Sequence, residues 1–308
     1  MLEVQIAGVN WKNPVTVASG TFSAREAARW YDPGRLGALT AKGVAIEAWE
    51  GNPTPRIAET WGGMLNAVGL QNPGVDSFIE QELPFLENFE TPVIVNLAGH
   101  SIEEYVAVAS RLNETAVAML ELNISCPNIK EGGIGFGSDP DMAARVTEAV
   151  RQATQKPLIV KLTPNVGDIA AIARAVENAG ADAISMINTL LGMKIDVHNA
   201  KPVLANWTGG LSGPAIKPVA VRMVWQVRQA VSLPIIGMGG IMSGEDAVEF
   251  LMAGANAVAV GTAGLLDPAA PVRILKEIEQ FMELRHYKSV EEIRQTGRMM
   301  GGRTERHG

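Results

Sequence analysis

At 308 residues, 47% apolar and 19% charged, the chain has an ordinary globular balance and enough length to bury a large core. A net charge of −7 with no dense Lys/Arg cluster offers no electrostatic reason to bind nucleic acid. The single cysteine excludes an internal disulfide and an iron–sulfur cluster held by this chain alone. No apolar run approaches the roughly 18 residues that span a bilayer, and Met1-Leu2-Glu3-Val4-Gln5 has no secretory pattern, so the expectation is a cytoplasmic protein without a membrane partner.

Residues 1–11 are expected to form a short strand pair closing the bottom of the fold. Eight aliphatic runs then read as strands, at 15–18, 38–41, 93–97, 117–123, 158–162, 183–187, 235–238 and 257–260. Helical patterns lie at 102–112, 142–154, 169–179, 215–230, 245–253 and 271–284, with a shorter one at 289–295. Most strand runs are continuously apolar, as in a parallel sheet covered on both faces. Eight such units suggest one (β/α)8 TIM barrel over 1–285, followed by a helix and a Gly- and Arg-rich tail, 297–308, expected to be mobile. An open doubly wound sheet is the other architecture, but no early strand is followed by Gly-x-Gly-x-x-Gly. The stretches 44–72 and 190–214 exceed normal connections, so they are expected to be functional or locally structured loops.

Barrel active sites lie at the C-terminal ends of the strands. Those ends read Ser19-Gly20, Lys42-Gly43, Asn96, Asn123, Lys161, Asn188-Thr189, Gly239-Gly240 and Gly261-Thr262: a glycine, amide, hydroxyl or lysine every time. Gly237-Met238-Gly239-Gly240 and Gly261-Thr262 follow strands seven and eight, where glycine lets backbone N–H groups approach a phosphate. Taken singly, each pair could equally make a tight turn. Gly209-Gly210-Leu211-Ser212-Gly213-Pro214 precedes a helix and is placed to add a further donor.

Lys161 beside a flat cofactor would stabilise negative charge on a reduced ring, as in FMN; the plainer role is partner to a barrel carboxylate, of which the strand interiors offer few. Lys42 is either an anchor for an anionic substrate or a solvated lysine. In Asn66-Ala67-Val68-Gly69-Leu70-Gln71-Asn72-Pro73-Gly74, Asn66 supplies a polar edge and Gly69 allows close approach, although the composition alone predicts a turn. Cys126, in Asn123-Ile124-Ser125-Cys126-Pro127-Asn128, follows a strand. As a thiolate it would be a base or nucleophile; as a thiol, a small buried hydrophobe. His100, His198, His286 and His307 include no pair at metal-ligand spacing, so no metal is expected.

Together, Asn123-Ile124-Ser125-Cys126-Pro127-Asn128, the 64–74 segment, Met186-Ile187-Asn188-Thr189, the 209–214 run, Gly237-Met238-Gly239-Gly240 and Val260-Gly261-Thr262 resemble class 1 dihydroorotate dehydrogenase. The resemblance implies an FMN-bearing barrel that oxidises (S)-dihydroorotate to orotate in pyrimidine biosynthesis. It implies FMN contacts from Ser19, Lys42, Gly43, Asn96, Asn123, Lys161, Ile187, Gly213, Gly239, Gly240, Gly261 and Thr262. Substrate contacts would come from Lys42, Asn66, Ala67, Val68, Gly69, Leu70, Asn123, Asn188 and Thr189, with Asn128 a further candidate. Cys126 takes the place of the catalytic base; class 2 members carry serine there. A free thiol titrates near about 8.5, so activity is expected to rise toward alkaline pH unless neighbours lower that value.

The glycine-rich stretch 129–140 is expected to act as a lid, and its residues 129–137 resemble the class 1B catalytic subunit. That class implies a partner subunit carrying FAD and a 2Fe–2S cluster, electrons passed to NAD, and a homodimer within a heterotetramer. Phe22-Ser23-Ala24-Arg25 is less glycine-rich than the family pattern, and Trp207 stands where a lysine is common. The competing functions are a fumarate-dependent class 1A enzyme, a dihydropyrimidine dehydrogenase-like flavoenzyme, and a phosphate-binding barrel without redox chemistry.

Overall fold

In a computed structural model of the chain, residues 1–124 and 135–301 are described, with side chains up to 297. Eight parallel strands form the barrel: β1 (Val15–Val17), β2 (Leu39–Val44), β3 (Val93–Leu97), β4 (Met119–Asn123), β5 (Leu158–Lys161), β6 (Ala183–Met186), β7 (Ile235–Met238) and β8 (Ala257–Val260). Hydrogen bonding runs β1-β8-β7-β6-β5-β4-β3-β2. The two end strands meet where Gly37 N donates to Val15 O (2.8 Å) and Thr16 Oγ1 donates to Ala38 O (2.8 Å), nearly closing the ring. The structure is a (β/α)8 barrel, as expected.

Period-two alternation divides every strand. Val15, Val95, Leu120, Val160, Ile184 and Val258 face outward and pack against the helices. Facing inward, Ile94, Met119, Ile159, Ala183 and Ile236 make an apolar floor. Ile6 and Trp11, from the antiparallel pair Val4–Ile6 and Val9–Trp11, seal this floor from below. Two residues further along β3 to β6, the inward positions are Asn96, Glu121, Lys161 and Ser185, all buried. The barrel is therefore dry at its base and polar toward the rim.

Several helices begin where side chains satisfy orphan N–H groups. Ser101 caps Ile102–Leu112 by accepting from Glu104 N, Asp139 caps Pro140–Ala153 by accepting from Met142 N, and Asp168 accepts from both Ala170 N and Ala171 N. Ser243 and Asp246 form a reciprocal capping box on Gly244–Ala253, which ends at Gly254 with φ 118°. The helix expected at 215–230 starts as a 3₁₀ turn, Pro214–Ile216, before Lys217–Ala230.

Two features depart from the sequence reading, and a third goes beyond it. A helical segment with a wide central turn, Val75–Ser77, Phe78–Glu82 and Leu83–Leu86, covers the barrel after β2, where no helix was expected. The final helix runs Val290–Gly301, so residues 297–301, assigned to the mobile tail, are helical. Gly297 permits this: a Cβ there would stand 1.8 Å from Met252 O, so only glycine lets the last helix lie so close to Gly244–Ala253. The two long excursions are locally structured, as expected, and they are joined to each other. They pair into one antiparallel sheet in the order Leu190–Met193, Thr208–Ser212, Gly63–Asn66, Ile57–Thr60. Trp207, at the edge of this sheet, is exposed. Among the described residues no helix is long and apolar enough to cross a membrane.

Candidate active site

The floor of the site is a buried polar cluster on four adjacent strands. Asn96 Nδ2 donates to Glu121 Oε2 (2.6 Å) and Ser185 Oγ donates to Glu121 Oε1 (2.6 Å). Lys161 Nζ lies 3.9 Å from Glu121 Oε2 and donates to Ser19 Oγ at 3.1 Å. Asn123 Nδ2 reaches Asn96 Oδ1 at 3.5 Å. The expectation that few strand carboxylates could partner Lys161 is corrected by Glu121, only 3% exposed. The signal for it was available. Once Asn123 is placed inward, the alternation of Met119-Leu120-Glu121-Leu122-Asn123 puts Glu121 on the same face.

Lys42 is re-aimed by a β-bulge. Ala41 pairs with Val95 and Val44 with Leu97, so Lys42 and Gly43 together oppose Asn96. A Cβ on Gly43 would stand 2.7 Å from Asn96 Oδ1, so any larger residue there would press on the Asn96 amide. Lys42 projects from the bulge into solvent at the rim. Partial burial, and then the Arg56 guanidinium, hold its ammonium below the usual lysine range. Among the described residues no carboxylate forms an ion pair with Lys42, which leaves its charge for an anion arriving at the mouth.

The glycines after β7 meet Gly213, from the second long excursion, at the rim. Gly213, Gly239 and Gly240 have φ of 102°, 122° and 80°, a region that disfavours side chains. A Cβ on Gly240 would stand 2.8 Å from Gly213 O, and one on Gly213 would stand 3.6 Å from Thr262 Cγ2. Thr262 Oγ1 donates to Ser212 Oγ at 2.9 Å. Gly239 packs over Ile187, and Gly261 over Ala18. Backbone from three separate parts of the chain therefore comes together at glycines.

The paired excursions bring a third group of predicted residues to the mouth. Asn66 Nδ2 donates to Gly210 O (3.3 Å), and a Cβ on Gly210 would stand 2.0 Å from Thr189 Oγ1, so Asn66 and Thr189 flank one glycine. Asn188 Oδ1 accepts from Thr189 N at 2.8 Å. The segment after Asn66 is held from behind: Asn52 N donates to Val68 O and Asn52 Nδ2 to Ala67 O, while Asn72 Nδ2 donates to Leu70 O. At Gly69 a Cβ would stand 2.6 Å from Asn52 N. Asn165, absent from the sequence reading, pins the other side by donating to Thr189 O (3.0 Å) and accepting from Leu191 N (2.9 Å). Cys126, Asn128 and residues 129–134 of the proposed lid lie outside the described residues.

A sequence profile of the family described as dihydroorotate dehydrogenase matches residues 1–282. The chain belongs to that family. It is similar to the "dihydroorotate dehydrogenase B (NAD(+)), catalytic subunit" of Alkaliphilus metalliredigens (strain QYMF), with 60% identity over 294 residues, covering 95% of this chain and 97% of the relative. The proteins of the same description from Lachnoclostridium phytofermentans and Geobacter sp. (strain M21) are each 58% identical; they cover 94% and 95% of this chain and 97% and 96% of their own lengths.

The residues fit the flavin nucleotide that the family resemblance implies. A buried ammonium and two amides suit the polar edge of a flat ring, and bare glycine backbone with the Thr262 hydroxyl suits a phosphate tail. Among the described residues no group of three or more His, Cys, Asp or Glu side chains could hold a metal ion.

Proposed function

We propose that this chain oxidises (S)-dihydroorotate to orotate in pyrimidine biosynthesis, as the catalytic subunit of an NAD-linked dihydroorotate dehydrogenase. The observation that carries the reading is the convergence at one rim of Lys161 and its amides, the Gly213–Gly240–Thr262 cradle, and the Asn66–Thr189 mouth. FMN would be held by the first two groups and substrate by the third together with Lys42. When bound, FMN supplies the acceptor for the hydride that leaves C6 of the substrate.

The chain's own residues do the rest. Cys126, as thiolate, takes the proton from C5, so that loss of the C5 proton and the C6 hydride leaves the C5=C6 double bond of orotate. Lys42 pairs with the substrate carboxylate, and the amides of Asn66, Asn123 and Asn188 bind the ring's own amide edges, which holds C6 in one orientation; such positioning contributes several kcal/mol, on the order of 7 or more in favourable cases. A partner subunit with FAD and a 2Fe–2S cluster carries the electrons on to NAD, in a cytoplasmic heterotetramer built around a homodimer of this chain.

The test is an anaerobic stopped-flow mix of the purified protein with dihydroorotate, watched at the flavin absorbance. Bleaching within the turnover time is expected. A protein that takes up no flavin when FMN is added would favour a phosphate-binding barrel without redox chemistry, and a yellow protein that does not bleach would refute the substrate. Turnover with fumarate in place of NAD plus the partner subunit would move the chain to the class 1A reaction.

A further inference from the structure

Glu121 has no role in the chemistry described so far, yet it sits at the centre of the polar cluster. A carboxylate 3% exposed is costly unless donors surround it, and here every neighbour is one: Asn96 Nδ2 and Ser185 Oγ at 2.6 Å each, and the Lys161 ammonium at 3.9 Å. We propose that Glu121 is a positioning residue. Its carboxylate fixes which way the Asn96 and Asn123 amides face, offsets the charge of Lys161, and through these three side chains sets the redox balance of the flavin. The inference rests on reading this rim as a flavin site.

The orienting effect follows from donor and acceptor inventory. An ionised carboxylate only accepts hydrogen bonds, so Asn96 must turn its NH2 toward Glu121 and its Oδ1 away. That oxygen meets the NH2 of Asn123 at 3.5 Å, which turns the Oδ1 of Asn123 away in its turn. An amide alone has no preferred flip, and one acceptor-only group below selects the polarity of both. The charge effect follows from placement. Lys161 donates to Ser19 on its rim side and faces Glu121 on its barrel side, so the ammonium is held between a neutral hydroxyl and a counter-charge. In so dry a position charges are weakly screened. Stability does not account for the pair, because a buried ion pair contributes little over apolar packing of the same volume, such as Met119 and Ile159 supply one step below.

The test is Glu121→Gln in the full chain loaded with FMN. Glutamine has the same shape: its oxygen accepts from Asn96 and its NH2 faces Ser185, so both bonds survive while the charge is lost. Removing the negative charge favours the reduced, anionic flavin. Anaerobic titration against a reference dye is expected to show a shift of at least tenfold toward reduced flavin, about 30 mV for a two-electron couple. The affinity of the bound flavin for sulfite, which adds at N5 and also places negative charge on the ring, should rise at least tenfold. Glu121→Asp, which keeps the charge, should stay within threefold of wild type in both measurements. If Glu121→Gln does not fold, Glu121→Met takes its place with the same readouts. A potential and a sulfite affinity within threefold of wild type in the charge-free variant would overturn this proposal alone. A wild-type protein that takes up no flavin would overturn the functional reading and this inference with it.

Discussion

Gly43→Ala tests how the β2 bulge serves the site. The added Cβ would stand 2.7 Å from Asn96 Oδ1, with its next neighbours at 3.7 and 3.8 Å, so one atom decides the outcome. Gly43 is not among the residues with positive φ, so alanine brings no left-handed strain there. Asn96 is 1% exposed and cannot swing into solvent; it must rotate against Glu121. The 2.6 Å bond it would weaken is made to a charged group, worth about 1.5–3 kcal/mol. If Asn96 stays in place instead, overpacking costs about 1–3 kcal/mol. These are alternative fates for one clash, so they do not add, and the expected loss is about 1–3 kcal/mol of apo-protein stability.

The displaced amide should also weaken FMN, by about tenfold for each 1.4 kcal/mol withdrawn from the bound state. Urea unfolding of the apo-protein and FMN titration by fluorescence measure the two effects. Gly167→Ala is the control, since nothing lies within 4 Å of its Cβ and it is exposed; it should stay within about 0.5 kcal/mol of wild type. A Gly43→Ala protein matching that control in both assays would refute the claim that Asn96 is locked in place.

Cys126→Ala should retain FMN while flavin reduction by dihydroorotate nearly disappears; normal bleaching by this variant would remove the thiol from the mechanism. Lys42→Gln separates binding from stability. Because burial and then Arg56 lower the Lys42 pKa from 10.5, the protonated lysine opposes folding at neutral pH. The unfolded chain binds more protons in the window between the lowered value and 10.5, so wild-type stability recovers as pH rises through it. Apo Lys42→Gln is therefore expected to be at least as stable as wild type at pH 7, with its advantage shrinking toward pH 10.5, while orotate affinity falls; thermal melts across pH and orotate titration check the two halves. Ser243→Ala removes one arm of the capping box and should cost about 0.5–2 kcal/mol in urea unfolding with FMN content unchanged.

Much of the site was legible because barrel chemistry follows a local rule. Ser19, Lys42, Asn96, Asn123, Lys161, Thr189, Gly239 and Thr262 each follow or end an aliphatic run, and the strand ends of a barrel share one rim. Glu121 was equally legible from strand alternation, but it lies inside an aliphatic run and not at its end, outside the rule that strand ends carry the chemistry. The bulge at Lys42-Gly43 left no such trace, since it is defined by the register against Asn96 on another strand.

Alternating side chains and capping residues act over a few positions, so the order of strands and helices, and the kind of residue at each strand end, were already encoded in the linear chain. Which distant segments meet was decided only on folding. Leu65 pairs with Leu211 across nearly half the chain, and this contact turns two apparent loops into a sheet that carries Asn66 to Thr189. The physical reason is range. Backbone sterics and hydrogen bonds between near neighbours act before the chain closes, whereas long-range pairing depends on a register that exists only once the barrel beneath it has formed.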